Sequence, residues 1–453
     1  MRNSILWISA FAAALIAGCG EIAPLAAPAA HSGDANFSVY AAMGTSITAG
    51  WQSGGLVDYH QRHSYAAVFA HQAGSATFTE PTVSPDGLPP LLRILSLSPL
   101  IISNVGRTNG TPTNALQPTP YHNMGVPGAL LVDAADSTYY YGGLPRSSLM
   151  FDLIVRHRGT ILGQVASLSP TFVSLEYGSN EVLGAAANGS GAAALDPATF
   201  AALLHGTLDA VHALIPGTKL ALVTVPNMPD IPYFTTFSPY TVSLSTGAPV
   251  PLIGPGGAPL APNDYVLLRA GPDLASGKGI PVGAYNYVNP GTAGTGQPLD
   301  DAEVLSATEA ASITAAVNGY NAAIHSEASA RHAALVDLHG LLQTAATVGL
   351  RFQGTVYTTR YITGGLFSLD GVHPNDLAHG FLANMMIDAV NSTFGSTIPH
   401  ADLSRAASIT ASRLRPDRNE SPRYPIVEGG EAYYRVMFAP VAGWNTSLSA
   451  ARR

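Results

Sequence analysis

The chain has 453 residues and a formal net charge of −8, and only 11% of its residues are charged, where soluble domains usually carry about 25%. An acidic balance without a polybasic run excludes a nucleic-acid surface and a long basic tract for membrane attachment. With 46 glycines and 34 prolines, the surface must rest largely on small and neutral polar residues, which predicts long ordered loops rather than a helical bundle.

Residues 1–18 place Arg2 before an apolar stretch of about fourteen residues, short of the roughly 20 that span a bilayer, and so read as a secretory signal peptide. The stretch ends in Ile16-Ala17-Gly18-Cys19, which resembles the bacterial lipobox. Cys19 is the only cysteine, so it has no partner within the chain. The resemblance implies a diacylglycerol on Cys19 and a cell-envelope location; Gly20, where an inner-membrane retention Asp would stand, points to the outer membrane. The plainer alternative is an ordinary signal peptide with an incidental cysteine. Residues 19–36, rich in Ala and Pro, read as a tether.

The first buried-strand candidate is "FSVYAAM" (37–43). Two more, "TFVSLEY" (171–177) and "KLALVTV" (219–225), each follow a long helical pattern, "LMFDLIVRHRGTILGQVASL" and "ATFAALLHGTLDAVHALI". A fourth unit runs from the helix "AEVLSATEAASITAAVNGYNAAIHSEASAR" into the strand "ALVDL". Alternation of this kind predicts an α/β fold, a three-layer α/β/α sandwich with a central, mostly parallel sheet of the flavodoxin-like kind. Residues 78–122 and 227–300 break the rhythm and are expected to be ordered flaps beside a site. The apolar "LLRILSLSPLII" in the first of them suggests a wall for an acyl chain, or simply core. A catalytic domain over 37–395 with these two insertions leaves 396–453 as an extension without an assigned role.

Ser46, in "MGTSITAG", stands between the first strand and a helical stretch. A Gly-Thr-Ser run most often supplies a helix cap. A nucleophilic serine needs a base within hydrogen-bond reach and a third group to orient that base. Both are available in "LDGVHPNDLAHGF", where Asp370 and His373 are three residues apart on a loop leading into a helix. A carboxylate there reaches Nδ1 and leaves Nε2 facing outward, although an Asp-Gly turn with a surface histidine fits the same letters.

With "YHNMGVPGA" (121–129) and "EYGSNEVLG" (176–184), these two blocks complete a pattern that resembles the SGNH hydrolases, the GDSL family of lipases and esterases, in the family's order. The resemblance implies Ser46 as nucleophile, Asp370 and His373 as its partners, and Ser46, Gly125 and Asn180 as oxyanion donors. A donor aimed at the developing charge is worth on the order of 10²–10³ in rate. Gly125 and Gly128 flank Pro127 and would expose N–H groups. Thr45 and Glu181 stand where the family usually has Asp, and the first departure bears on how the nucleophile turn is braced. The chain lacks G-x-S-x-G around Ser46, so an α/β-hydrolase elbow is not supported.

His325 and His332 have no metal-type spacing, and no glycine-rich phosphate loop follows a strand, so neither a metal nor another cofactor is expected. The expected function is serine-dependent hydrolysis of a carboxylic ester, with fatty-acyl esters or lysophospholipids as substrates and the membrane as partner through Cys19. Two alternatives are a cell-envelope polysaccharide O-acetylesterase, which needs an open polar and aromatic groove, and a non-catalytic binding lipoprotein. The last would be favoured by a Ser46 to His373 separation beyond about 5 Å.

Overall fold

The computed structural model describes residues 31–97, 99–138, 140–141, 148–191, 194–413 and 425–428; the signal peptide and Cys19 lie outside them. Five parallel strands form the central sheet: β1 (Tyr40–Gly44), β2 (Asn123–Gly125), β3 (Phe172–Glu176), β4 (Lys219–Val223) and β5 (Ala334–Val336), in the spatial order β2-β1-β3-β4-β5. Every residue of β1 and β3 is buried, as expected where helices cover both faces, so these strands read as continuous rather than alternating apolar runs. The three-layer α/β fold expected from the alternation is the fold observed.

On one face α2 (Tyr65–Gln72) packs against α8 (Asp376–Phe394). Their contact with the sheet is aromatic: Phe69 of α2 lies 5.1 Å from Tyr40 of β1 and 5.6 Å from Phe172 of β3, and Phe394 of α8 meets Phe172 edge-on at 6.1 Å. On the other face α3 (Ile161–Ser167), α5 (Pro197–Leu214) and α6 (Ala307–Ala330) pack together or on the sheet, with Phe200 of α5 stacked on Tyr320 of α6 at 4.2 Å. Two shorter helices start at the sheet's carboxyl edge, α1 (Ser46–Ala49) after β1 and α4 (Ser179–Ala187) after β3, and α7 (Leu338–Thr347) follows β5. The chain leaves β1 to form β2 on one side and returns to form β3 on the other, so the crevice between the β1 and β3 ends is the switch point where such sheets bind ligands.

Three expectations change in detail. The pattern over 149–168 is broken into Leu149–Ile154 and α3, because Arg156 and His157 take left-handed φ of +58° and +55°. Tertiary contacts explain the break: the Arg156 guanidinium sits 4.0 Å over the Tyr121 ring and donates to the carbonyls of Gln117 and Thr119. The long helix begins at Ala307, not before, since Ser306 and Glu309 form a reciprocal capping box and Val304–Leu305 pairs as a short strand. The motif around Asn123 supplies a fifth strand that three residues of sequence do not announce.

Residues 93–103 form a bulged hairpin, Arg93–Leu97 with Leu100–Ser103, which Pro425–Glu428 joins in parallel. Leu100 and Ile102 enter the core while Ile94 and Leu95 face solvent. Within 227–300 Tyr240–Val242 pairs with Pro249–Pro251, and the Lys278 ammonium contacts Asp273, Asp300 and, just beyond the insertion, Glu303, filling the centre of that acidic cluster.

Candidate active site

The turn after β1 is built around close approach. A Cβ on Gly44 would lie 2.1 Å from Thr48 Oγ1 and 2.9 Å from the Glu176 carbonyl, so glycine is required there. Thr45 is extended and its side chain makes no cap bond, so the common use of Gly-Thr-Ser is not the one made. Instead the buried Glu176 carboxylate, from the end of β3, accepts the Thr45 N–H at 3.0 Å and the hydroxyls of Thr45 and Thr48 at 2.8 and 3.0 Å. Tyr65 extends the chain, its hydroxyl lying 2.9 Å from Thr48 Oγ1. Burial raises the Glu176 carboxyl above its ordinary range, and the Thr45 and Thr48 donors oppose that rise. Where the family pattern has Asp, Thr45 is a donor matched to a carboxylate supplied from the neighbouring strand.

Ser46 is thereby fixed at the first position of α1, where its N–H has no intrahelical acceptor. The structure brings Ser46, His373 and Asp370 together: His373 Nε2 lies 2.9 Å from Ser46 Oγ and Nδ1 lies 3.0 Å from Asp370 Oδ2. Asp370 is fully buried, and it accepts the N–H groups of Val372, His373 and Gly54. Burial alone would raise its carboxyl, but the charge and hydrogen bonds of His373 and the N–H of Val372 outweigh it and hold Asp370 below the usual carboxylate range. Trp51, fully buried, lies with its ring 6.1 Å from the His373 ring.

The loop that carries these residues is tied to the loop after α1. Ser53 N–H donates to Ser368 Oγ at 2.8 Å, Leu369 N–H donates to Ser53 Oγ, and Asp376 accepts both Gln52 Nε2 and His60 Nδ1 at 2.7 Å. Asn375 caps α8 through the Ala378 N–H, which sets the direction in which the helix leaves the site. His379, one turn further on, is buried and accepts the Tyr65 N–H; burial pushes it down to about 3, so it stays neutral and is no second base.

The expected oxyanion donors divide. Asn180 is buried beside Ser46, and its Nδ2 gives one hydrogen to the Ala129 carbonyl at 2.8 Å, leaving the other amide hydrogen for a ligand. Gly125 does not serve as expected: its N–H is taken by Asn123 Oδ1 at 3.0 Å. Its lack of a side chain answers a packing need, because a Cβ there would come within 2.5 Å of the Ala49 N and 2.8 Å of the Thr48 carbonyl carbon. Gly128, at φ +82°, has no partner for its N–H among the described residues. Its turn is clamped to the start of α4 by Asn180 and by Glu181, whose Oε1 accepts the Leu131 N–H at 2.5 Å.

A pocket opens from Ser46, Asn180 and His373 and is otherwise almost wholly apolar, with Leu183, Met228, Ile231, Leu342, Phe367 and Phe381 in its walls. No residue of 78–122 lines it, so the apolar run of the first insertion is core and hairpin surface, not the acyl wall it was expected to be. The walls come instead from the start of the second insertion and from 338–382. Sequence reasoning also missed Glu176, Trp51 and Gly54. Glu176 could have been suspected as a carboxylate ending an otherwise apolar strand, but the other two carry no signal before folding.

Residues 40–386 match the family described as GDSL-like lipase/acylhydrolase. The chain belongs to that family. A solved structure from Parabacteroides merdae, provisionally described as a GDSL-like lipase, is similar at 13% identity and a TM-score of 0.25; the match covers 50% of this chain and 63% of that one. The chain thus spans less than two thirds of that protein. No curated protein matches it.

Two predictions follow from the packing and the buried carboxyls. Gly125→Ala forces α1 off β2 and should cost about 1–3 kcal/mol, read as a lower urea midpoint; an unchanged midpoint would show that the contact yields freely. Burial raises Glu80 to about 8 and Glu181 to about 7, the latter assisted by Asp133 and Glu176. Between about pH 4.5 and 8 the folded chain therefore keeps protons that the unfolded chain has released, so stability is greatest below that window and falls as pH rises through it. Glu80→Gln and Glu181→Gln should each flatten the decline in Tm from pH 5 to pH 8, and an unaltered slope in both would contradict the assignment.

Proposed function

We propose that the protein is a serine-dependent carboxylic ester hydrolase acting on fatty-acyl esters, lysophospholipids among them. The 2.9 Å approach of His373 Nε2 to Ser46 Oγ, inside an apolar pocket, is the observation that carries this reading. Ser46 Oγ attacks the ester carbonyl while His373 takes its proton. Asp370, held ionised, orients the imidazole and stabilises the imidazolium that forms. The carbonyl oxygen gains charge as the tetrahedral intermediate forms, and the N–H of Ser46, the free Asn180 amide hydrogen and the Gly128 N–H, in place of Gly125, are the donors proposed to hold it. His373 then delivers its proton to the leaving alcohol, and a water activated by the same imidazole releases the acid from Ser46.

The apolar walls around Ser46 favour an acyl chain over an acetylated polysaccharide, which would call for an open polar groove. The 2.9 Å between Ser46 and His373, well inside the roughly 5 Å beyond which a non-catalytic binding protein would be favoured, supports the catalytic reading. Cys19 as a lipid anchor, with an outer-membrane address, remains part of the proposal on the lipobox-like sequence alone. It would keep the enzyme close to acyl lipids.

Labelling with a fluorophosphonate, followed by peptide mapping, and hydrolysis of p-nitrophenyl acetate, butyrate and palmitate test the reading together. Label on Ser46 and turnover rising beyond acetate are expected; a folded protein with neither is not an esterase. Ser46→Ala should lower kcat by about 10⁶ with the fold intact. Asn180→Ala should lower kcat by about 10²–10³ with little change in KM, and the opposite split would make Asn180 a ground-state binder.

A further inference from the structure

One wall of the pocket is also a surface element. Leu350–Phe352 and Thr355–Tyr357 form an antiparallel hairpin whose two turn residues, Gln353 and Gly354, have φ of +47° and +78°, the primed turn that two-residue hairpins favour. Strand alternation sorts its side chains. Leu350 lines the pocket, and Phe352 and Tyr357 pack on Phe381, another pocket residue, at 6.0 and 6.3 Å. The outer face carries Arg351 directly across from Val356, both exposed, and Val348 just before the hairpin is 70% exposed.

Charge is distributed unevenly along the segment that carries this element. Residues 338–369 contain Arg351 and Arg360 and no acidic residue, in a chain whose net charge is −8. Both arginines are exposed, and neither forms an ion pair among the described residues. The helix Ser404–Arg413, whose Ser404 Oγ accepts Gln353 Nε2 of the hairpin, contains no acid, and Asp402 just before it accepts the Ser404 N–H. A composition without a polybasic run hides this local pairing of cation and hydrocarbon.

We infer that the Leu350–Tyr357 hairpin, with Val348, Val356, Arg351 and Arg360, is the element by which the protein docks on an anionic lipid surface. Exposed valines enter the headgroup region while guanidinium groups pair with lipid phosphates, the division of labour of interfacial segments. Continuity between hairpin and pocket gives the geometry its purpose: a chain leaving the surface beside Leu350 is already at the pocket wall. The inference rests on the acyl-ester reading of that pocket.

The test uses the full chain carrying Cys19→Ser, so that no lipid is attached there, and vesicles of phosphatidylcholine with or without about one-third phosphatidylglycerol. Partition onto anionic vesicles should fall at least about tenfold in Arg351→Glu/Arg360→Glu, and weaken with added salt in the parent. Neutral vesicles should bind parent and variant alike. Hydrolysis of p-nitrophenyl butyrate in solution should be the same for both, which separates lost docking from lost fold. Equal partition of parent and variant on anionic vesicles, with butyrate turnover intact, overturns the docking and leaves the esterase standing. Arginine-dependent partition in a parent that cleaves no ester leaves the docking standing and removes the esterase.

Discussion

The hydrogen bonds that Thr45 and Thr48 send to the buried Glu176 carboxylate join the turn after β1 to the end of β3, and the geometry around Ser46 depends on that join. Parallel pairing sets it up, because the register places Gly44 beside Glu176 and leaves both strand ends level. A charge with no water around it is costly unless several donors converge on it. Two hydroxyls and the main-chain N–H groups of Thr45 and Thr48 meet this one, so the turn cannot relax without stranding the carboxylate. The first residue past that turn is Ser46, and the first helix past Glu176 carries Asn180. One buried acid therefore sets both sides of the crevice.

The second half of the site arrives from more than three hundred residues away and is fastened by a different set of bonds. Gly54, Ser53 and Gln52 reach Asp370, Ser368 and Asp376, so the loop after α1 acts as a template for the loop before α8. These are short contacts among buried or half-buried groups, and they restrict His373 before any substrate arrives. On the proposed mechanism, preorganisation of this kind lowers the barrier most, since donors and base already fixed need no rearrangement as charge develops. The apolar pocket walls and the buried Trp51 ring surround these groups.

Polar and apolar functions are divided by chain segment. Strand ends and the starts of α1 and α4 supply the polar groups, while 338–382 supplies most of the hydrocarbon and the hairpin that faces outward from it. Placing hydrocarbon on one late segment lets the pocket and the outer surface share a wall, and alternation along two short strands gives that wall its two faces.

The sequence by itself determined the α/β class, because burial on both faces writes parallel strands as short apolar runs between helical periods, and it determined the four blocks, because their spacing from strand ends is local. It named Ser46, Asn180, Asp370 and His373, and the structure draws these together. Only tertiary structure decided that Gly125 is a packing glycine with its N–H already bonded, that Arg156 breaks an otherwise helical run to hold a distant loop, and that the pocket walls come from 338–382 and not from 78–122. Periodicity reports which face of an element is apolar, and a motif reports what a side chain could do. Which partner each group finds depends on contacts between residues far apart in the chain, and those exist only once the sheet has set its order and register.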